Sequence, residues 1–184
     1  MTTAGTHIRP PAKVIWLTGI SGAGKSTLGE KLFAYFSNHV AQVEFLDGNE
    51  VRDFFDNDLG FTDEERHMAI KRSVFGSYLL AKNGVHVIVA SIAASYEIRD
   101  FIRTKLGDHY IQVWVKASVD TVRKRDVRGL YKAHDEGDEE NLPGVDQGYD
   151  KPRNPHIVIE TDSDTIDASF EKLRSFLAQH LEFE

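Results

Sequence analysis

Two short stretches of this sequence carry side chains that could do chemistry. The first is "GISGAGKS", Gly19 to Ser26. It fits the spacing G-x-x-x-x-G-K-[ST], in which glycines let the backbone wrap close and turn its N–H groups inward. Such donors suit phosphate oxygens, and a helix beginning near Lys25 would add its positive end. Gly19, Ser21, Gly22, Ala23 and Gly24 then form the loop. Lys25 supplies a point charge for the outer phosphates, Ser26 an oxygen for Mg²⁺, and Thr27 a hydroxyl for an inner phosphate. The ligand this implies is ATP with Mg²⁺. The second stretch is "LDGNEVR". Asp47 can accept a proton from an attacking hydroxyl, and Arg52, about one turn further on, can hold an anionic acceptor. A plainer reading makes Asp47 a helix N-cap and Arg52 a solvated charge.

Both stretches need elements to position them, and the pattern supplies alternating strands and helices. Lys13–Thr18 reads as a buried strand leading into the glycine loop. Lys25–Asn38 has helical apolar spacing at Leu28, Leu32, Phe33 and Phe36. Gln42–Leu46 is a strand that ends at Asp47, where ligands collect in open α/β sheets. "TDEE" from Thr62 is a capping box opening a helix to about Asn83, which Gly84 suits as a stop. Val85–Ala90 and Tyr110–Val115 read as strands, Tyr96–Leu106 and Val119–Asp126 as helices. His156–Ile159 is a last strand and Asp167–His180 a last helix. The fold class is therefore α/β, a parallel sheet with helices on both faces. Residues 1–184 read as one domain with a flexible lead-in over 1–12. Gly129–Asn154 is polar, weakly periodic and too long for a routine connection, so it is a lid or disordered.

Composition narrows the function. The chain has 184 residues, 41% apolar and 28% charged, with a net charge of -7, which disfavours a non-specific nucleic-acid binder. It has no cysteine, hence no disulfide framework and no thiolate metal site. No apolar run approaches the roughly 20 residues that span a bilayer. The eight histidines form no ligand-like cluster. Trp16 and Trp114 read as core packing. A cytoplasmic enzyme with no nucleic-acid or membrane partner fits these features.

The chain resembles the adenylylsulfate kinase family of P-loop kinases. The carriers are "WLTGISGAGKST", "LDGNEVR", "LGFTDEER", "RDVRGLYK" and "PGVDQGYDKP", in family order from about Val14 onward. The resemblance implies a P-loop fold that moves the γ-phosphate of ATP to the 3′-hydroxyl of adenosine 5′-phosphosulfate, and a homodimer. It implies Asp47 and Lys25 as catalytic residues. It implies an acceptor site from Asp47, Arg52, Phe61 as a stacking ring, Arg66 and the backbone at Ile92. Arg125 belongs with the nucleotide and, with Arg128, flanks the start of the lid. The lid, about 129–150, brings Lys132, Leu142 and Asp146 over the phosphates and acceptor, and a mobile cover of this kind excludes water.

The departures from the family pattern fall at acceptor positions. The usual DGD is "DGN", with Asn49 in the second place, which leaves Asp47 alone as base. An acceptor-binding asparagine becomes Ala69, a serine and a proline after the third strand become Ala93 and Ala94, and the lid's aromatic becomes Leu142. The ATP loop is unchanged. The donor is thus retained, and the acceptor stands between adenosine 5′-phosphosulfate, another nucleotide-linked anion such as cytidine diphosphoramidate, and an unrelated small alcohol. A non-catalytic ATP-binding module is the remaining alternative.

Overall fold

The computed structural model describes residues 12–39 and 42–181. Most of the expected lead-in lies outside them. Its last residue, Ala12, is buried and its carbonyl accepts a hydrogen bond from His109.

The chain runs β1 (Val14–Thr18), α1 (Lys25–Phe36), β2 (Val43–Asp47), α2 (Gly48–Phe54), α3 (Asp63–Ala81), β3 (His86–Ala90), α4 (Tyr96–Leu106), β4 (Tyr110–Lys116), α5 (Val119–Arg125), α6 (Leu130–Glu136), β5 (Ile157–Glu160) and α7 (Ile166–Leu177). The five strands form one sheet in the order β2-β3-β1-β4-β5, all parallel. β1 lies at its centre and pairs Val14 with Val87 of β3 and with Tyr110 of β4. Alternation along β1 divides the core. Ile15 and Leu17 face α1 and α7, packing with Leu28, Leu32, Phe36, Leu173 and Leu177. Val14 and Trp16 face α3 and α4, packing with Ile70, Val74, Ile98, Ile102 and Leu106. A strand buried on both faces has no polar alternation, which is why Val14 to Leu17 are apolar and Thr18, also buried, spends its hydroxyl on the Ile92 carbonyl.

The strand order sets where a ligand can sit. From β1 the chain crosses over β3 to β2. From β3 it crosses back over β1 to β4 on the other face. The connections part at the carboxyl ends of β1 and β3 and leave a crevice there. The glycine loop, the Asp47 turn and the Ser91–Ser95 segment all open onto it.

One short helix follows the plainer reading of Asp47 as an N-cap, and a second was not expected. α2 begins directly after β2, with Asp47 as its N-cap accepting from Asn49 N. α6 lies inside the stretch read as a lid or disordered. Its N-cap is Gly129 in the left-handed region, and its first N–H groups are instead satisfied by Asp126, whose carboxylate accepts from Tyr131 N at 3.1 Å and Lys132 N at 2.9 Å. Trp16 is fully buried as expected, whereas Trp114 is half-buried beneath the Lys116 ammonium.

Candidate active site

The glycine loop spans the turn from β1 to α1. Gly19 passes so close to the Val115 carbonyl that a Cβ could not fit. Gly24, the N-cap of α1, has φ 100°, a conformation costly for any residue with a side chain. The loop is braced from outside. Tyr131 of α6 donates to the Ser21 carbonyl at 2.8 Å, and Thr161 donates to the Ala23 carbonyl at 3.0 Å. Arg125 in turn donates to Thr161 O and reaches Thr161 Oγ1 at 3.4 Å, so it stands at the outer rim of the loop.

Lys25 folds back and donates to the Ile20 carbonyl at 2.8 Å. Burial pushes its ammonium down to about 8, Asp47 partly opposes this, and Arg128 adds to it. A lysine so held gains by meeting an anion, because its charge lies where water cannot solvate it well.

Asp47 ends β2 in a buried position. Its Oδ2 accepts from Ser26 Oγ at 2.5 Å, and its Oδ1 accepts from both the backbone N and the side-chain Nδ2 of Asn49, each at 2.8 Å. The two stretches first seen in the sequence thus meet atom to atom. Asp47 is an N-cap, and the same carboxylate meets the glycine loop through Ser26. Asn49 donates to Asp47 through its amide, a bond that an aspartate at that position could not make. The oxygens of Ser26 and Asp47 fit a hard cation such as Mg²⁺, which takes few protein ligands and fills its shell with water and phosphate oxygens. Among the described residues no three His, Cys, Asp or Glu side chains converge as they would around a metal ion.

A second cluster lies beyond α2. Arg52 donates to the carbonyls of Leu59 at 2.9 Å and Gly60 at 3.0 Å. Arg66 donates to Phe61 O at 3.0 Å and to Asn141 O at 2.7 Å, which ties α3 to the 129–150 segment. Both guanidinium groups lie over the exposed Phe61 ring, at 4.7 and 5.0 Å. Burial, and then the charge of Arg52, bring Arg66 down to about 10. Two arginines packed on one ring form a cation pair that an anionic group would relieve.

The remaining expected residues are placed as follows. Ile92 presents its carbonyl to Thr18 Oγ1 at the end of β1. Asp146 accepts from Asn141 N and Leu142 N at 2.8 and 2.6 Å and shapes that turn of the segment. Leu142 is buried in the apolar cluster that holds Ile20, Val122 and Tyr131. Lys132 is not brought to the loop: its side chain is 75% exposed and lies 3.8 Å from Glu136 on the outer face of α6. Sequence reasoning missed Tyr131 and Thr161. Both support the loop from distant parts of the chain and have no spacing signal.

The profile of the adenylylsulphate kinase family matches residues 11–160. An adenylyl-sulfate kinase of Gloeothece citriformis is 40% identical over 165 residues, covering 90% of this chain and 93% of its own. A probable adenylyl-sulfate kinase of Aeropyrum pernix is 36% identical over 172 residues, covering 92% of this chain and 94% of its own. The solved Mycobacterium tuberculosis APS kinase CysC, in complex with AMPPNP and APS, superposes with a TM-score of 0.86 at 27% identity, covering 92% of this chain and 99% of that one.

Proposed function

The chain belongs to the adenylylsulphate kinase family, and from that premise we propose that it transfers the γ-phosphate of ATP to the 3′-hydroxyl of adenosine 5′-phosphosulfate. The observation that carries this reading is the bond from Ser26 Oγ to Asp47 Oδ2, which joins the phosphate loop to a proton acceptor. Loop residues Gly19 to Thr27 bind the ATP phosphates, and Arg125 borders the nucleotide. Ser26 would hold Mg²⁺, which when bound neutralises charge on the terminal phosphate oxygens. Asp47 takes the hydroxyl proton as the acceptor oxygen bonds to the γ-phosphorus. The bond from that phosphorus to the bridging oxygen breaks, and ADP leaves. Lys25 stabilises charge spread over the transferring group. Asn49 holds Asp47 with its oxygens presented to the crevice. Arg52 and Arg66 hold the acceptor's anion beside Phe61, with the Ile92 backbone and Leu142 bounding the site.

The domain is read as one unit over 1–184, with about 129–150 as the lid. Tyr131 anchors that lid to the phosphate loop, and Lys132 and Asp146 belong to it. No helix among the described residues is long and apolar enough to cross a membrane, and we read the enzyme as cytoplasmic. A homodimer, as the family resemblance implies, has the exposed rings of Phe54 on α2 and Phe75 on α3 available as contact surface. Sedimentation of the purified chain tests it, and a monomer at micromolar concentration would refute it.

The test of function is ADP release at fixed ATP with adenosine 5′-phosphosulfate, cytidine diphosphate derivatives, plain nucleotides and buffer. Release that requires adenosine 5′-phosphosulfate, and that Lys25→Ala abolishes, is the expected result. Turnover with a cytidine acceptor alone would move the reading to another nucleotide-linked anion. ATP binding without turnover on any acceptor would leave a binding module.

A further inference from the structure

A cluster of arginines lies on the α4 face of the sheet and shares no residue with the site above. Tyr96, Arg99, Asp100 and Arg103 fall on one side of α4. With Gln112 of β4 and Arg153 of the loop before β5 they line a small cavity of about 60 Å³. Three guanidinium groups therefore border it against one carboxylate. Among the described residues, none of the three takes part in an ion pair. Arg99 is buried and donates only to carbonyls, those of Ala93 and Asp150 at 2.6 Å and Ala94 at 3.1 Å. Arg153 stacks on the Tyr96 ring at 3.7 Å. That contact fixes the plane of its guanidinium and leaves its N–H groups at the edge.

Gln112 gives the cavity a direction. It is 1% exposed, and its Oε1 accepts from Arg103 Nη2 at 3.0 Å. Its Nε2 has no hydrogen-bond partner among the described residues. A buried amide donor left in this way is costly and is relieved by an acceptor. The surrounding field has the same sign. His156, in the adjoining groove that shares Arg103, is held below its ordinary range by burial and then by Arg103, His180 and Lys13. In a chain of net charge -7 these cations are concentrated on one patch.

We propose that this cavity binds a tetrahedral oxyanion, sulfate or phosphate, free or as the end group of a small molecule, through Arg103, Arg153 and Gln112 Nε2. Planar guanidinium edges and an amide N–H offer the several converging donors that such a group accepts. Arg99, at the back of the cavity, holds the Ala93–Ala94 turn to the Asp150 end of the 129–150 segment. The anion would therefore sit against the strut between those two parts.

The phosphate loop also attracts oxyanions, so the test uses the full chain saturated with ADP. The Gln112 side-chain amide and Arg153 Nε–H resonances are followed during titration with sodium sulfate, sodium phosphate and ribose 5-phosphate. Sodium chloride at matched ionic strength is the control. A saturable shift at millimolar concentration is expected, weakened at least tenfold in Arg103→Ser combined with Arg153→Ser. Both side chains are exposed, and Arg153→Gln alone serves if the double variant fails to fold. Preference for ribose 5-phosphate would identify the ligand as a phosphate ester, and preference for the inorganic ions would identify it as the free anion. Linear shifts equal to those with chloride, or saturation unchanged in the variants, would overturn the proposal.

Discussion

Lys25 makes nucleotide affinity depend on pH in a window where few other groups of the site titrate. With no nucleotide bound, burial holds its ammonium at about 8. Bound phosphates restore the charge and carry the group out of the working range. Only the protonated form binds well, so the apparent Kd scales with the inverse of the protonated fraction. From pH 7.5 to pH 9 this predicts a loss of about eightfold, or about 1.2 kcal/mol. The sign is that of a lysine depressed in the free protein: binding takes up about half a proton at pH 8 and about nine-tenths at pH 9. The range starts above pH 7 because a nucleotide's terminal phosphate ionises near pH 6 and is complete by then. It stops at pH 9 because Arg66, held at about 10, begins to titrate above that. Calorimetric titration of ADP in two buffers of different ionisation heat measures both affinity and proton uptake. Asp47 raises the lysine, so Asp47→Asn should move the midpoint below 8. Lys25→Met should give weak, pH-independent binding. An affinity constant within twofold from pH 7.5 to 9, with no proton uptake, would refute the reasoning.

Further outcomes follow from single contacts. Asn49→Ala removes a charge-assisted bond to Asp47 and should lower kcat about tenfold, at ~1.5 kcal/mol, with KM for ATP little changed; steady-state kinetics decides it. Thr62→Ala breaks the capping box of α3, where Thr62 and Glu65 cap each other, and should cost about 1 kcal/mol in urea unfolding. Leu142→Ala empties a buried position beside the phosphate loop and should cost about 2–5 kcal/mol. If that variant changes only acceptor KM, with the unfolding midpoint unmoved, Leu142 packs less firmly than its burial indicates.

The middle of the sheet could be read from the sequence because its inner strands are buried on both faces. "VIWLT" and "HVIVA" admit little else. α4 was bounded correctly at both ends, since Ser95 caps its start and Gly107 follows its last residue. α3 was visible through Thr62 and Glu65, although its apolar residues surround it and leave Phe75 and Tyr78 exposed. α6 was not legible, because it is capped by an aspartate outside the usual position, and α2 showed only in the plainer reading of Asp47 as an N-cap. In the site, Lys25, Ser26 and Asp47 could be named because loop spacing and strand ends are local signals. Their mutual bond depends on β2 lying two places from β1 in the sheet, which no spacing reports. Thr161 meets the glycine loop across 138 residues of sequence, so its part could be seen only in the fold.

The placing of β1 at the centre of the sheet has a consequence for how the chain is made. None of its partners is near in sequence: the backbone of Lys13 first meets His86 across 73 residues. No hairpin can shelter it in the meantime, because every pairing is parallel. On a ribosome adding about 5–20 residues per second, this five-residue segment waits roughly 4–15 s for its first strand partner, with only α1 to cover one of its faces. During that interval "VIWLT" is the part of the nascent chain with most to gain from a chaperone, or from an identical segment on the next chain of a polysome.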